Sequence, residues 1–246
     1  MANPNVCSRE REISSVMNWR DFWNGPHSIY VNERHKRLHY ETIAAAIIQL
    51  IEHSTYVLLD YGCGEASAAD VVASKCGRLY LYDSATSVQQ KLRQQFEKNP
   101  RIIVLSKQDL DALAEGLLDM VVVNSLLQYL TAAELERLLP LWRGKLKPNG
   151  QLILADVIPP EAGALKDVLA LMRFSVEGGF IAAAIVGLMR TFFSPYRRLR
   201  EQLGLARYRQ DELIILLKKH GYDGHRAARN LGHDQTRMTI IAHKRD

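Results

Sequence analysis

Apolar residues form short runs that alternate with helical patterns from about residue 57 onward. Five runs rich in Leu, Ile and Val have the length and continuity of strands buried on both faces, at 57–60, 79–82, 102–105, 120–123 and 151–155. Between them lie helical patterns, such as 66–76 after a glycine turn and the four-residue repeat of Val88, Leu92 and Phe96. This alternation predicts an α/β fold, with a doubly wound, mostly parallel sheet that binds ligands at the carboxyl ends of its strands.

Two further segments exceed what such a sheet requires. Residues 1–54 contain aromatic side chains and a helix that begins near His35, and we expect them to form an N-terminal helical cap. Residues 160–207 follow the fifth strand and include a nearly apolar run at 179–189, which is shorter than the about 20 residues that span a bilayer. We expect a helical insertion that serves, in order of preference, as a substrate lid, a subunit contact or a membrane-surface helix.

Composition is that of one folded domain of 246 residues with 47% hydrophobic content. The first residues lack the apolar core of a secretory signal and the chain has only three cysteines, so a cytoplasmic location is the simplest expectation. The formal charge of +5 is modest, and no basic segment is interleaved with stacking aromatics. We therefore expect no nucleic-acid partner.

The candidate chemistry begins in the stretch VLLDYGCGEASAAD, at 57–70. A dinucleotide site prefers a third small apolar residue where Ser67 stands, and its pyrophosphate would be repelled by the carboxylate of Asp60 just before Gly62 and Gly64. S-adenosylmethionine has no phosphate and carries an ammonium and a sulfonium group. An acidic residue beside this glycine turn therefore favours S-adenosylmethionine over a dinucleotide.

Residues 59–66, Leu-Asp-Tyr-Gly-Cys-Gly-Glu-Ala, resemble the first motif of class I S-adenosylmethionine-dependent methyltransferases, with Ala66 where a third glycine is common. The resemblance continues through Asp83, Asp109 and Asn124 at the next three strand ends and through 146–153, and it covers 56–156 well. It implies one domain over 1–246 with a Rossmann-like, seven-stranded sheet whose last strand is antiparallel. In outline, 224–230 and 237–244 form its closing hairpin.

The resemblance also implies a cofactor site, made of Asp60, Gly62, Gly64, Asp83, Asp109 and Asn124. In this family Asp83 would accept the ribose hydroxyls, Asp109 would receive the adenine amino group, with Gln108 as an alternative, and Asn124 would lie under the sulfonium. Methyltransferases that act on base amino groups have Pro-Pro and an aromatic residue after that Asn, and this chain has Ser-Leu-Leu. The chain is therefore more similar to the small-molecule branch, which resembles ubiquinone and menaquinone methyltransferases.

The acceptor is expected to be a hydrophobic small molecule or a lipid-like compound, methylated on oxygen or carbon, with S-adenosylhomocysteine as the second product. Four side chains are candidates for a catalytic base: His35, His39, Tyr30 and Tyr129. His35 and His39 share a helix face but have no clear third ligand, so no metal is expected. Two other functions stay open, an NAD(P)-dependent oxidoreductase and a non-catalytic cofactor-binding partner or sensor. A homodimer and a membrane-surface contact through 179–200 are two further expectations.

Overall fold

The computed structural model describes Trp19, residues 30–192 and residues 204–245. Most of the predicted cap before residue 30, and residues 193–203 of the predicted insertion, lie outside the described residues. The strands are β1 Val57–Tyr61, β2 Arg78–Tyr82, β3 Ile102–Val104, β4 Leu118–Asn124, β5 Leu146–Val157, β6 Tyr222–Arg226 and β7 Met238–Lys244. The helices are α1 Glu33–Gln49, α2 Ala69–Ala73, α3 Thr86–Gln95, α4 Lys107–Ala112, α5 Ala132–Lys145, α6 Ala164–Glu177, α7 Ile181–Phe192 and α8 Gln210–Lys219.

The described strands form one seven-stranded sheet in the order β3-β2-β1-β4-β5-β7-β6. The first five strands in this order are parallel to their neighbours, while β7 is antiparallel to both β5 and β6. The predicted sheet with an antiparallel last strand is therefore confirmed. The strand order reverses between β1 and β4, so the carboxyl ends of these two strands open the crevice where ligands bind in such folds.

Buried side chains cover both faces of the sheet. On one face, Trp142 and Leu139 of α5 join the core with Tyr222 of β6, all fully buried. On the other face, Ile43 and Ile47 of α1 pack with residues of β1, α2 and α3. The apolar face that the sequence predicts for α1 is thus buried against the sheet, and this packing fixes the helix that carries His35 and His39.

Helix α2 is shorter than the helical pattern at 66–76 predicts. Ala66 takes a φ of 43°, so the chain is still turning there, and helical backbone spans only Ala69–Ala73. The longer prediction is wrong because the glycine turn extends through Ala66 before the helix begins. Helix α5 begins with a capping box of Thr131 and Glu134, in which each side chain accepts from the other residue's backbone N–H.

Replacing Leu139 by Ala tests how far stability depends on the core between α5 and the sheet. Leu139 is fully buried in that core. We expect Leu139→Ala to lower the free energy of unfolding by about 2–5 kcal/mol, because truncation leaves a cavity. Glu136→Ala on the exposed side of the same helix is the control, and we expect a change of at most about 0.5 kcal/mol. Urea denaturation measures both; equal losses for the two variants would contradict this prediction.

Candidate active site

The loop after β1 takes a conformation that requires glycine. Gly62 has a φ of 78° and Gly64 a φ of 56°, both in the region that residues with a Cβ rarely adopt. A Cβ on Gly62 would also come within 3.0 Å of Leu126 Cδ2. The N–H of Gly62 donates to Tyr82 O at 2.7 Å, and the N–H of Gly64 donates to Asp83 Oδ2 at 3.0 Å. The end of β2 therefore holds the glycine loop in place.

Two carboxyl groups lie at this loop without a cation beside them in the described part of the chain. Burial and, to a smaller extent, the nearby carboxylate of Asp83 together raise the pKa of Asp60 to about 7. Burial also raises the pKa of Asp83, although backbone N–H groups, including that of Ala85 at 2.9 Å from Oδ1, oppose the rise. A ligand that brings positive charge would relieve the repulsion between these two groups.

Asn124 ends β4 with an unused acceptor. Its Nδ2 donates to Ser125 Oγ at 3.2 Å, and Ser125 Oγ donates to Asp156 Oδ2 at 2.7 Å. Its Oδ1 is buried and has no hydrogen-bond partner within the described residues. A buried amide oxygen without a donor is costly in free energy. The amide is therefore oriented by Ser125 and presents an acceptor to a ligand.

A cavity of about 2120 Å³ opens over the carboxyl ends of the strands. It is lined by the predicted cofactor residues Asp60, Gly62, Gly64, Asp83 and Asn124. It is also lined by a second group of residues, which we call the aromatic end: Tyr30, His39, Asp156, His233 and Arg237. Ligand pockets are commonly about 300–1,000 Å³, so this volume accommodates two molecules side by side.

Helix α1 joins the two ends of the cavity. The Tyr40 hydroxyl accepts from the N–H of Glu65 at 3.1 Å, and Lys36 forms an ion pair with the Glu65 carboxylate. Tyr40 also shares a hydrogen bond with Tyr30, whose pKa burial raises to about 12. The helix that forms the far wall is thus fastened directly to the glycine loop.

Three imidazole rings form the histidine cluster, defined as His35, His39 and His233. Their ring centroids are 5.9 to 6.5 Å apart. Phe174 of α6 stacks on His233 at 4.3 Å and 15°, and Phe180 stacks on His35 at 5.2 Å and 19°. No group of three metal-ligating side chains in the described ranges is arranged to hold a metal.

The imidazoles of the histidine cluster are neutral at pH 7. Burial and, to a smaller extent, the neighbouring imidazoles together lower the pKa of His35 to about 4 and that of His39 to about 3. Burial also lowers the pKa of His233, but the carboxylates of Asp156 and Asp234 oppose the change. His233 is therefore the ring on which a proton is best tolerated.

Only some of the predicted catalytic residues line the cavity. Tyr30, His39 and Tyr129 line the cavity, while His35 is buried behind it, with Nδ1 accepting from the N–H of Val31 at 3.3 Å. Tyr129 lies 4.5 Å from Trp19 between ring centroids. Asp109 is the third residue of α4, and its carboxylate accepts from Ser106 N–H in a capping box. The capping box accounts for the position of Asp109, and its contact with adenine stays a prediction.

Asp156, His233 and Arg237 are among the cavity residues that escaped the sequence analysis. Asp156 lies at the end of β5 and accepts from Ser125. His233 and Arg237 lie in the connection between β6 and β7, which the sequence presents only as a hairpin. The available signal was the polar run His-Asp-Gln-Thr-Arg at 233–237, placed just before a strand that returns beside β5.

Residues 59–154 match a family model described as a methyltransferase domain. The match begins in β1 and ends in β5, so it contains the glycine loop, Asp83 and Asn124. No curated protein matches the chain in sequence.

Solved structures with the same fold extend the likeness over most of the chain. Magnesium protoporphyrin IX methyltransferase from Synechocystis PCC 6803, with bound SAM, is 14% identical with a TM-score of 0.56, over 92% of this chain and 89% of that one. A putative methyltransferase from a complex with the Haloferax volcanii Trm112 activator is 14% identical with a TM-score of 0.58, over 94% and 100%. The pyocyanin biosynthetic protein PhzM is 16% identical with a TM-score of 0.56, over 85% and 55%.

The sheet topology and the matched domain are those of class I methyltransferases, the class that uses S-adenosylmethionine as methyl donor. In this chain an N-terminal helix and a two-helix insertion, α6 and α7, accompany the matched domain.

The buried imidazole of His35 makes stability depend on pH. Its pKa is about 4 in the folded protein and about 6.5 in an unfolded chain, so acid protonates the unfolded state first. We expect His35 alone to account for about 2 kcal/mol of the stability lost between pH 7 and pH 5. His35→Gln should therefore reduce that loss by about this amount in urea titrations at both pH values. His53→Gln, at an exposed position, is the control; an unchanged pH dependence in His35→Gln would contradict the assignment.

Proposed function

We propose that the protein transfers a methyl group from S-adenosylmethionine to an oxygen or carbon of a hydrophobic small molecule or lipid-like acceptor. The observation that carries this proposal is the pair of buried carboxyl groups, Asp60 and Asp83, beside a glycine turn at the strand switch point. The cofactor supplies a sulfonium methyl that a nucleophile displaces in line. The protein contributes alignment and a dry site.

The cofactor residues fit the donor group by group. In the proposed arrangement, Asp83 accepts the ribose hydroxyls with lone pairs that Gly64 and Ala85 leave available. Asp60 lies towards the positively charged methionine portion. Asn124 offers its unpartnered Oδ1 to the ammonium group. Gly62 and Gly64 let the backbone approach closely, as their positive φ angles support.

The proposed acceptor site is the aromatic end of the cavity. Phe174 and Phe180, from the segment 160–207, stack on the histidine cluster, which supports the role of this segment as a lid over the acceptor. The name of the Synechocystis neighbour gives magnesium protoporphyrin IX as its substrate. A large, planar, hydrophobic acceptor is compatible with the cavity volume of about 2120 Å³.

If the protein were an NAD(P)-dependent oxidoreductase, NADH would bind and S-adenosylhomocysteine would not. We expect the reverse, with S-adenosylhomocysteine at 100 times its Kd stabilising the protein by about 2.7 kcal/mol, which is several degrees in melting temperature. The alternative as a sensor predicts cofactor binding without turnover. Transfer of labelled methyl groups into an organic extract of the source cells distinguishes an enzyme from a sensor.

Asp83→Asn tests the proposed cofactor contacts. The substitution removes the negative charge that faces the ribose hydroxyls and the Gly64 N–H, and charge-assisted hydrogen bonds are about twice as strong as neutral ones. We expect affinity for S-adenosylhomocysteine, measured by calorimetry, to fall at least about tenfold, which is about 1.4 kcal/mol. Asp223→Asn, exposed on β6, should bind as the wild type does.

Asp109→Ala separates the two roles considered for Asp109 in the same assay. A weaker affinity at unchanged folding would support the adenine contact. A lower melting temperature with unchanged affinity would leave Asp109 as the capping residue of α4 alone.

The outer face of the lid supports a further proposal, a reversible contact of 179–200 with a membrane surface from the cytoplasm. Ile181, Ile185 and Val186 of α7 are 44%, 52% and 50% exposed, and no helix within the described residues is long and apolar enough to cross a membrane. We expect Ile185→Glu to abolish flotation with phosphatidylglycerol vesicles without changing cofactor affinity. A homodimer through this face would instead appear as a doubled mass in sedimentation, lost in the same variant.

A further inference from the structure

Arg237 is a buried cation with one unused donor. Its side chain is only 10% exposed, its Nη2 donates to Asp167 at 2.9 Å, and its Nε donates to Asp234 at 3.2 Å. Its Nη1 is buried and has no hydrogen-bond partner among the described residues, although the side chain lines the cavity. Two carboxylates therefore hold the guanidinium in a fixed plane, and the remaining nitrogen requires an acceptor atom that the described residues do not supply.

His233 lies four residues earlier and faces the same cavity. Phe174 stacks nearly parallel on one face of the His233 ring, with the ring centroids 4.3 Å apart. That face is therefore covered, and a ligand in the cavity meets the edge of the ring, which carries the nitrogens. No hydrogen bond engages the ring nitrogens of His233 or His39 in the part of the chain that the structure describes. An imidazole held by stacking and without a protein partner is available to exchange a proton with a ligand.

The charges around His233 favour its protonated form during a reaction. Asp156 on β5 and Asp234 in the same loop are the nearest carboxylates, and Arg237 acts in the opposite sense. Asp167 on α6 is already paired with Arg237, while His35 and His39 on α1 are neutral. Tyr30, also near α1, keeps its proton at neutral pH. Among the three rings of the histidine cluster, His233 alone has carboxylates beside it that stabilise an imidazolium.

We propose that the acceptor is a planar aromatic compound with a hydroxyl group adjacent to a second oxygen, that His233 removes the hydroxyl proton, and that Arg237 Nη1 donates to the second oxygen. The proposal rests on the proposed methyl transfer and names its substrate class. An acceptor of this class satisfies both unpartnered groups at once. Its ring lies against Tyr30, which lines the cavity together with His233 and Arg237.

The reaction balances without any further reagent. The hydroxyl O–H bond breaks and its proton moves to the lone pair of the His233 imidazole. The oxygen forms a bond to the methyl carbon while the S–CH3 bond breaks, and that electron pair stays on sulfur. The products are a methyl ether, S-adenosylhomocysteine and an imidazolium, which releases its proton to solvent when the products leave.

Alizarin, a planar anthraquinone with adjacent hydroxyl and carbonyl oxygens, is a direct probe because its visible spectrum changes on deprotonation. Titration into the complex with S-adenosylhomocysteine measures affinity and protonation together. We expect alizarin to bind at least about tenfold more tightly than unsubstituted anthraquinone, and its anionic band to appear at a lower pH than in free solution. Equal affinity for the two compounds would overturn the assigned substrate class.

Variants separate the roles of the two side chains. In His233→Gln, we expect the anionic band of bound alizarin to require a pH at least about one unit higher, since the proton acceptor is gone. His225→Gln, at an exposed position on β6, is the matched control and should keep the wild-type spectrum. An unchanged spectrum in His233→Gln would refute its role as base.

Arg237→Lys keeps the positive charge, but the single ammonium group of lysine cannot bond to Asp167, Asp234 and the ligand at the same time. We expect its affinity for alizarin to fall at least about tenfold, with no comparable change for anthraquinone. If this variant does not fold, the comparison of alizarin with anthraquinone and the His233→Gln spectrum decide the proposal. Calorimetry with S-adenosylhomocysteine alone tests the proposed function separately. If S-adenosylhomocysteine does not bind, the methyl donor site is rejected. If it binds but alizarin binds no better than anthraquinone, only the acceptor class is rejected.

Discussion

The attachment of α1 to Glu65 is the contact on which the arrangement of the cavity depends. Tyr40 accepts from the Glu65 backbone and Lys36 pairs with its carboxylate, so the loop proposed to bind the donor and the helix proposed to face the acceptor are held together. A methyl transfer requires the two reacting atoms to be aligned within about 3–3.5 Å. A rigid connection between the two binding regions supplies this alignment without a moving part in the described structure.

The backbone is left-handed at three strand ends that border the same cavity. Gly62 follows β1, Ser125 follows β4, and Asp156 lies near the end of β5, with φ values of 78°, 55° and 57°. The last two are costly for residues with a Cβ, by about 1–2 kcal/mol each. The hydrogen bond from Ser125 to Asp156 at 2.7 Å offsets part of this cost and fixes both side chains. Local strain of this kind is found where a site must be held in one geometry.

Short sequence patterns predict those features that depend only on neighbouring residues along the chain. The buried strands follow from apolar runs, and the place of Asp83 follows from its distance beyond the glycine loop. The capping box of Ser106 and Asp109 was also readable, because serine followed by an acidic residue three positions later is its sequence signature. The place of His233 and Arg237 beside Asp156 could not be predicted from local patterns, since it arises from β7 returning beside β5. Only the topology places these distant segments together.

Helix α1 presents different side chains to the histidine cluster and to the glycine loop. His35 and His39 are one turn apart and belong to the histidine cluster, while Lys36 and Tyr40, each one residue later, hold the glycine loop. Successive residues on a helix are separated by about 100° around its axis. In the proposed arrangement, the six residues 35–40 therefore serve both binding regions, and a substitution at His39, which lines the cavity, would change the acceptor range while Lys36 and Tyr40 keep the donor loop in place.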